Sequence, residues 1–303
     1  MEQFCRRQFM ARTLASGSLA AGLPALVSGA AEGGAPLLPR RENSSVRIYI
    51  ITDLEGAAMV SRFDQTRDAT PEVTARVRAL LTAEVNAAVD GILDATPDAD
   101  VVVWDGHGSG GLDETAFHPE ARLIARGPIA PPYFLDGSFD ALFFVGQHAM
   151  AGTPNAPLCH TYSSKTVEYY KINGQLVGEF GARTIMAGCF GVPSVFLSGD
   201  DKAVAEAKAM VPGIHGAIVK WGLGLETALH RSPEAAREVI RATAAEATAD
   251  LGAIAPVVVK PPFEQEIRVY EGVPLGGYLK DGAEKLDERT VRIVSDDICA
   301  LHV

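Results

Sequence analysis

The sequence predicts an α/β fold: a layered, largely parallel sheet with helices on both faces, followed by a smaller strand-rich C-terminal part. Three observations carry that expectation. Short apolar runs alternate with segments whose apolar residues recur at helical spacing. The runs are apolar throughout rather than alternating with polar residues, as strands buried on both faces are. Several runs also end abruptly in acids and histidines, and a parallel sheet places its ligands beyond the carboxyl ends of its strands.

Taken in order, residues 1–30 hold Arg6 and Arg7 side by side, then Phe9, a mildly apolar stretch from Leu14 to Val27, and the small residues Ser28, Gly29 and Ala30. This is the layout of a signal peptide cleaved near Ala30 and Ala31. The paired arginines resemble the twin-arginine export signal, a route that carries proteins already folded. A basic leader with no address is the plainer alternative. The apolar part is rich in Gly, Ala and Ser and is interrupted by Pro24, too weak for a stable membrane helix. The expected location is periplasmic, with no membrane insertion after leader removal. Residues 31–45 read as a linker, 46–255 as the α/β domain, and 256–303 as a strand-rich segment of the same unit.

Within the domain a strand is expected at 46–52. Residues 71–95 place Val73, Val77, Leu80, Leu81, Val85, Ala88 and Ile92 at helical spacing behind Pro71. The runs at 100–108 and 141–149 each begin as a buried strand and end in polar residues. A strand at 167–172 leads to a turn at Asn173-Gly174, then a helix over 176–191, a buried strand over 193–200 and a helix over 201–211. A strand at 216–222 and a long amphipathic helix at 232–251 complete the domain. The tail offers three strand-like runs, VVVK (257–260), EQEIRVY (264–270) and RTVRIV (289–294).

Composition sets outer limits. A chain of 303 residues, 47% hydrophobic and 21% charged, has ample length for a sizeable core. Its net charge is −11, and no long basic run lies outside the N-terminus, which argues against nucleic acid or an anionic membrane surface as partner. Cys5 leaves with the leader, and Cys159, Cys189 and Cys299 remain. An odd count without CxxC predicts no disulfide framework, though one bridge would be compatible with an oxidising compartment.

The chemistry sits at the strand ends. Asp53-Leu54-Glu55 has the spacing of an extended segment, with both acids on one side and Leu54 on the other. Two close carboxylates repel unless a cation or a shared proton lies between them. Gly56 then lets the chain pass closely by whatever is bound. Asp105 and His107 follow the second run in a glycine-rich loop, and His148 follows the third. Glu179 falls early in a helix, between Gly178 and Gly181. Each feature alone also fits a solvated loop acid, a structural histidine or a helix N-terminal acid. Together Asp, Glu and two His at three strand ends form a mixed nitrogen and oxygen ligand set, suited to Zn²⁺, with Mn²⁺ or Co²⁺ as alternatives. His160, in APLCHTYSS, is a candidate general acid or base. Cys159 beside it makes a poor nucleophilic dyad, because adjacent residues of an extended segment point to opposite sides.

The motifs DLEG, DGHG, GQHA, CHT, INGQLVGE and GVPSVFLSGDD, in this order and spacing over roughly residues 46–220, resemble the zinc-dependent D-aminopeptidase family, typified by the D-aminopeptidase of a bacterial dipeptide-transport operon. The tail ERTVRIVSDD is similar as well. The resemblance implies a hydrolase with two zinc ions per chain. It implies that Asp53 bridges them, that Glu55, His107, His148 and Glu179 complete the metal ligands, and that His160 is a catalytic residue outside the ligand set. It also implies a homo-oligomer, in the family a decameric ring with active sites facing an internal channel. Two departures are visible: the loop from His148 to His160 is one residue longer than in the typical member, and the typical member has no export leader.

The expected function is therefore a binuclear metal-dependent aminopeptidase or amidohydrolase. It would cleave small peptides, among them peptides with N-terminal D-amino acids such as D-Ala, by metal-activated water with a catalytic His. One alternative is another metallohydrolase, an esterase or phosphatase, on the same site. A phosphatase would need a cationic or amide-rich cradle, and no concentration of Lys or Arg lies near the motifs in the sequence. A second alternative is a non-catalytic periplasmic peptide-binding protein, which has no need of paired metals.

Overall fold

A computed structural model describes residues 36–303 except 126, 128 and 281; the expected export leader, residues 1–30, lies outside the described residues. The chain runs through β1 (Arg47–Thr52), the short α1 (Phe63–Thr66), the long α2 (Pro71–Ala95), β2 (Asp100–Trp104), β3 (Ala121–Ile124) and β4 (Ala141–Gln147). It continues through β5 (Val167–Ile172), β6 (Gln175–Leu176), α3 (Glu179–Cys189), β7 (Ser194–Asp200), α4 (Asp201–Met210), β8 (His215–Gly224), β9 (Thr227–His230) and α5 (Pro233–Ala249). It closes with β10 (Phe263–Val269), β11 (Glu284–Lys285) and β12 (Thr290–Ser295).

Seven strands form one sheet in the order β3-β2-β1-β4-β7-β8-β9, flanked by helices. All of its pairs are parallel except the β8–β9 hairpin. Every residue of β1, β2, β4 and β7 is buried, as their unbroken apolar runs predict. The strand order reverses between β1 and β4, so a crevice opens past their carboxyl ends. A second, antiparallel sheet has the order β11-β12-β10-β5-β6. The C-terminal strands thus pair with β5 from the middle of the chain. In β10 buried and half-buried residues alternate, the pattern of a strand with one covered face.

The helix over 71–95 forms as its spacing predicts. Thr70 caps it, Pro71 opens it, and Val77, Leu81, Val85, Ala88 and Ile92 are buried. Val73 and Leu80, at the rim of that face, are half-exposed. The helix expected over 176–191 starts later, at Glu179, because Gln175 and Leu176 pair with β5. The run VVVK is not a strand. Pro256 in front and Pro261 and Pro262 behind withhold the N–H donors that a ladder needs, and the segment instead lies against Gly188 of α3. Residues 36–45 have no helix or strand but are tied to the domain: Leu37 N–H donates to Asp136, and buried Arg47 reaches the carbonyls of Leu38 and Pro39.

Candidate metal centre

The turn after β1 is held from two sides. Asp53 N–H donates to Val145 O (2.9 Å) and Gly56 N–H to Gly146 O (2.7 Å), so β4 grips the segment that carries both acids. β4 is irregular here, with Gly146 at φ +78°. A Cβ on Gly56 would stand 2.2 Å from Gln147 O, and one on Gly146 would stand 2.1 Å from Asp53 O. The freedom expected of Gly56 therefore serves an approach of backbone to backbone, not of backbone to ligand. From the other side Lys220, fully buried in β8, donates to the carbonyls of Glu55, Ala57 and Val60. Burial pulls its pKa down to about 8, against the attraction of Asp200, Glu84 and Glu55.

The structure brings all six candidate residues together. Asp53 turns Oδ1 toward His107 Nδ1 (3.1 Å) and Oδ2 toward His148 Nε2 (3.2 Å), so its two oxygens serve two different neighbours. Glu55 Oε2 is 3.1 Å from His107 Nδ1. Glu179, the first residue of α3, lies 3.5 Å from His148 Nε2 and 4.0 Å from His160 Nε2, and accepts a bond from Tyr162 N–H (2.7 Å). The rings of His148 and His160 stack at 4.0 Å and 11°. Leu54 is buried, but Ala57 N–H bonds back to its carbonyl (3.2 Å), so the acids sit in a turn rather than in the extended segment that their spacing predicts. Asp105 does not join them: both of its oxygens accept from Gly111 N–H, which closes the glycine-rich loop. Cys159 points away, with Sγ 3.5 Å from Thr153 O, and burial raises its pKa, the wrong direction for a nucleophile.

Each histidine has one nitrogen on a backbone carbonyl: His107 Nε2 on Thr66 O (3.3 Å), His148 Nδ1 on Ala149 O (2.9 Å), His160 Nδ1 on Leu158 O (2.7 Å). Such a contact fixes an N–H there and turns the other nitrogen into the cluster. In His107 and His148 that second nitrogen faces carboxylate oxygens. His148 Nε2 and Glu55 Oε2 are buried within 3.2 Å of charged neighbours, yet neither makes an aligned hydrogen bond. Donors about 2.0–2.1 Å from a tetrahedral Zn²⁺ stand roughly 3.3 Å from one another, close to the 3.1–3.5 Å separations here. Among the described residues three overlapping triples meet the requirement: Asp53, Glu55 and His107; Asp53, His148 and Glu179; Glu55, His148 and His160. The donor set thus fits divalent cations.

The electrostatics agree. Burial opposes the charge of Asp53, but His107 and His148 outweigh it and lower its pKa. Glu179, likewise opposed by burial, is lowered to about 2, chiefly by His148. Burial also opposes charge on His107 and His148, yet the carboxylates raise both well above the ordinary imidazole range. His160 differs: burial lowers its pKa and His148 lowers it further, so it stays neutral.

A cavity of about 620 Å³ opens above the cluster, with Asp53, Glu55, His107, His160 and Glu179 in its wall. Arg67, Arg78, Lys165 and Arg183 line it too. The sequence shows no such concentration of basic residues, because the fold draws them from three separate segments. Sequence reasoning missed Lys220 and Arg183. A signal existed for the second: Arg183 is a charge in a helix whose residues 180–189 are all buried.

Residues 46–302 match a family model described as D-aminopeptidase. A D-aminopeptidase of Bacillus subtilis (strain 168) is 33% identical over 144 residues, which cover 46% of this chain and 52% of that protein. The matched region thus spans about half the length of that relative. The solved structure of the Zn-dependent D-aminopeptidase DppA from Bacillus subtilis, a self-compartmentalizing protease, aligns with a TM-score of 0.78 at 26% identity, covering 84% of this chain and 93% of that one.

Proposed function

The chain belongs to the D-aminopeptidase family, and from that premise we propose that it is a binuclear, zinc-dependent aminopeptidase that hydrolyses small peptides, including those with N-terminal D-residues. The observation that carries this reading is Asp53, one carboxylate whose two oxygens face two different histidines. When bound, two divalent ions supply Lewis acidity toward the amide carbonyl and lower the pKa of the attacking water. Asp53, Glu55, His107, His148 and Glu179 would hold the two ions, with Asp53, which faces both histidines, as the shared ligand. His160 stays outside the ligand set, its ring aimed by Leu158 O and stacked on His148. Neutral and in the cavity wall, it moves the proton at Nε2 from water toward the leaving amine.

The relative's self-compartmentalizing character and the exposed Leu223, Leu225 and Leu229 of the β8–β9 hairpin support assembly into a homo-oligomer, a decameric ring being the form that the resemblance implies. Export to the periplasm belongs to the same proposal and rests on the sequence of residues 1–30. Cell fractionation after replacement of Arg6 and Arg7 by Lys checks it, and unchanged export would reject the twin-arginine route. The central test is cleavage of D- and L-alanine p-nitroanilide by the purified protein, before and after chelation, with metal content measured in parallel. Chelatable cleavage of the D-substrate with two metals per chain is expected. Cleavage that survives removal of all metal would overturn the reading.

A further inference from the structure

Four basic side chains line the metal cavity, and three of them are engaged. Lys165 pairs with Asp68 at 2.8 Å. Arg78 donates to the carbonyls of Gly110 (3.1 Å) and Ser109 (2.9 Å). Arg67 donates to Ser164 Oγ and lies over the ring of Phe63. Arg183 differs. It is 7% exposed, and its Nε and Nη1 have no hydrogen-bond partner. Its guanidinium is packed among the rings of Trp104 (4.5 Å), Tyr133 (4.6 Å) and Tyr162 (5.7 Å). It also lines a second cavity of about 270 Å³, together with Tyr133, Tyr162 and Tyr278, and so stands where the two cavities meet.

A buried guanidinium without an anion is costly, and aromatic faces orient it without neutralising it. Burial opposes its charge, but a guanidinium stays protonated throughout the working pH range. Nor is it needed as counter-charge once the centre is loaded: two divalent ions outweigh the three carboxylates of Asp53, Glu55 and Glu179. The loaded pocket then carries excess positive charge and an open pair of donors, a combination suited to a carboxylate. Arg183 is four residues after Glu179 on α3, and such helix neighbours lie about 5–6 Å apart. An anion held by Arg183 would therefore share a cavity wall with the candidate metal ligands.

We propose that Arg183 anchors the free carboxylate on the leaving-group side of a peptide substrate, so that the site selects short peptides that end in a carboxylate over those that end in an amide. The proposal rests on the peptidase reading above and adds to it a specificity-determining residue. The test compares alanyl-alanine with its C-terminal amide, in D and L forms, on metal-loaded wild type, Arg183→Met and Arg183→Lys, with metal content measured for each. Wild type is expected to favour the acid by about thirtyfold or more, carried in KM. Arg183→Met is expected to reduce that ratio to near one with metal retained, and Arg183→Lys, charged but without the planar fork, to fall between. A wild-type ratio near one, or a preference that persists in Arg183→Met, would overturn the proposal. If Arg183→Met does not fold, wild type and Arg183→Lys carry the comparison. Should wild type cleave neither compound, the peptidase reading fails by itself. Calorimetric binding of the reduced-bond dipeptide, acid against amide, then decides on Arg183 separately: equal affinities would overturn its role, and a thirtyfold difference would sustain it.

Discussion

Two residues of the centre separate metal binding from chemistry. Asp53 touches both histidines, so Asp53→Ala is expected to lose bound metal at both positions, read by elemental analysis; full occupancy would rule out the bridge. His160→Ala is expected to keep its metal while kcat falls on the order of 10²–10⁴-fold. Retained activity would remove His160 from the mechanism. Glu84 raises a different matter, since it is buried in α2 and accepts from Ala58 N–H (2.8 Å). Burial pushes its pKa up to about 7, against the Ala58 bond and Lys220. A group raised on folding contributes stability that is complete below about pH 4.5 and lost as the pH rises through about 7. Glu84→Gln keeps the acceptor and removes the titration. Urea unfolding should therefore show little difference from wild type at pH 4.5 and a more stable variant at pH 8, by up to about 3 kcal/mol. A difference that does not change with pH would contradict this account.

Strand ends make the site, and their geometry depends on a contact between elements. The acids leave β1 into a turn that is bonded to β4, and that contact is close enough to need glycine on both sides. Gly146→Ala meets a left-handed backbone and a clash with Asp53 O together. We expect a loss of about 1–3 kcal/mol from strain alone, with weaker metal binding because the turn that holds Asp53 must move. Unchanged thermal unfolding and metal affinity would show that the contact yields. The elements themselves were largely legible. The apolar runs announced β1, β2, β4 and β7, and Pro71 announced the start of α2. β3 and β9, four residues each, were not announced, and VVVK misled because local β-propensity says nothing about where a ladder partner stands.

At the scale of the molecule the seven-stranded sheet ends in an edge, β9, beside a tip that exposes Leu223 (63%), Leu225 (53%) and Leu229 (60%). Clustered apolar side chains on an open edge are a hallmark of association. The same tip reaches the site, since Leu225 O accepts from Leu158 N–H, two residues before His160. Leu225→Asp combined with Leu229→Asp is expected to yield smaller species in analytical ultracentrifugation, while the backbone carbonyl of residue 225 that braces the His160 loop is kept. An unchanged sedimentation profile would place the assembly contact elsewhere.

The sequence by itself determined the strands that build the crevice and the residues that leave them. An unbroken apolar run must be buried, and the first acid or histidine after it must leave the core. That made Asp53, Glu55, His107 and His148 legible as candidates; Glu179 early in a helix and His160 in its loop were candidates as well, and the resemblance gave all six their expected roles. Tertiary structure decided the rest: that Asp105 closes a loop, that Gly56 serves β4, and that Arg183 lies among aromatic rings with no hydrogen-bond partner for its Nε and Nη1. Lys220 braces the acidic turn from 165 residues away. Periodicity records which side of an element is buried, whereas a hydrogen bond or an ion pair depends on which distant element covers that side.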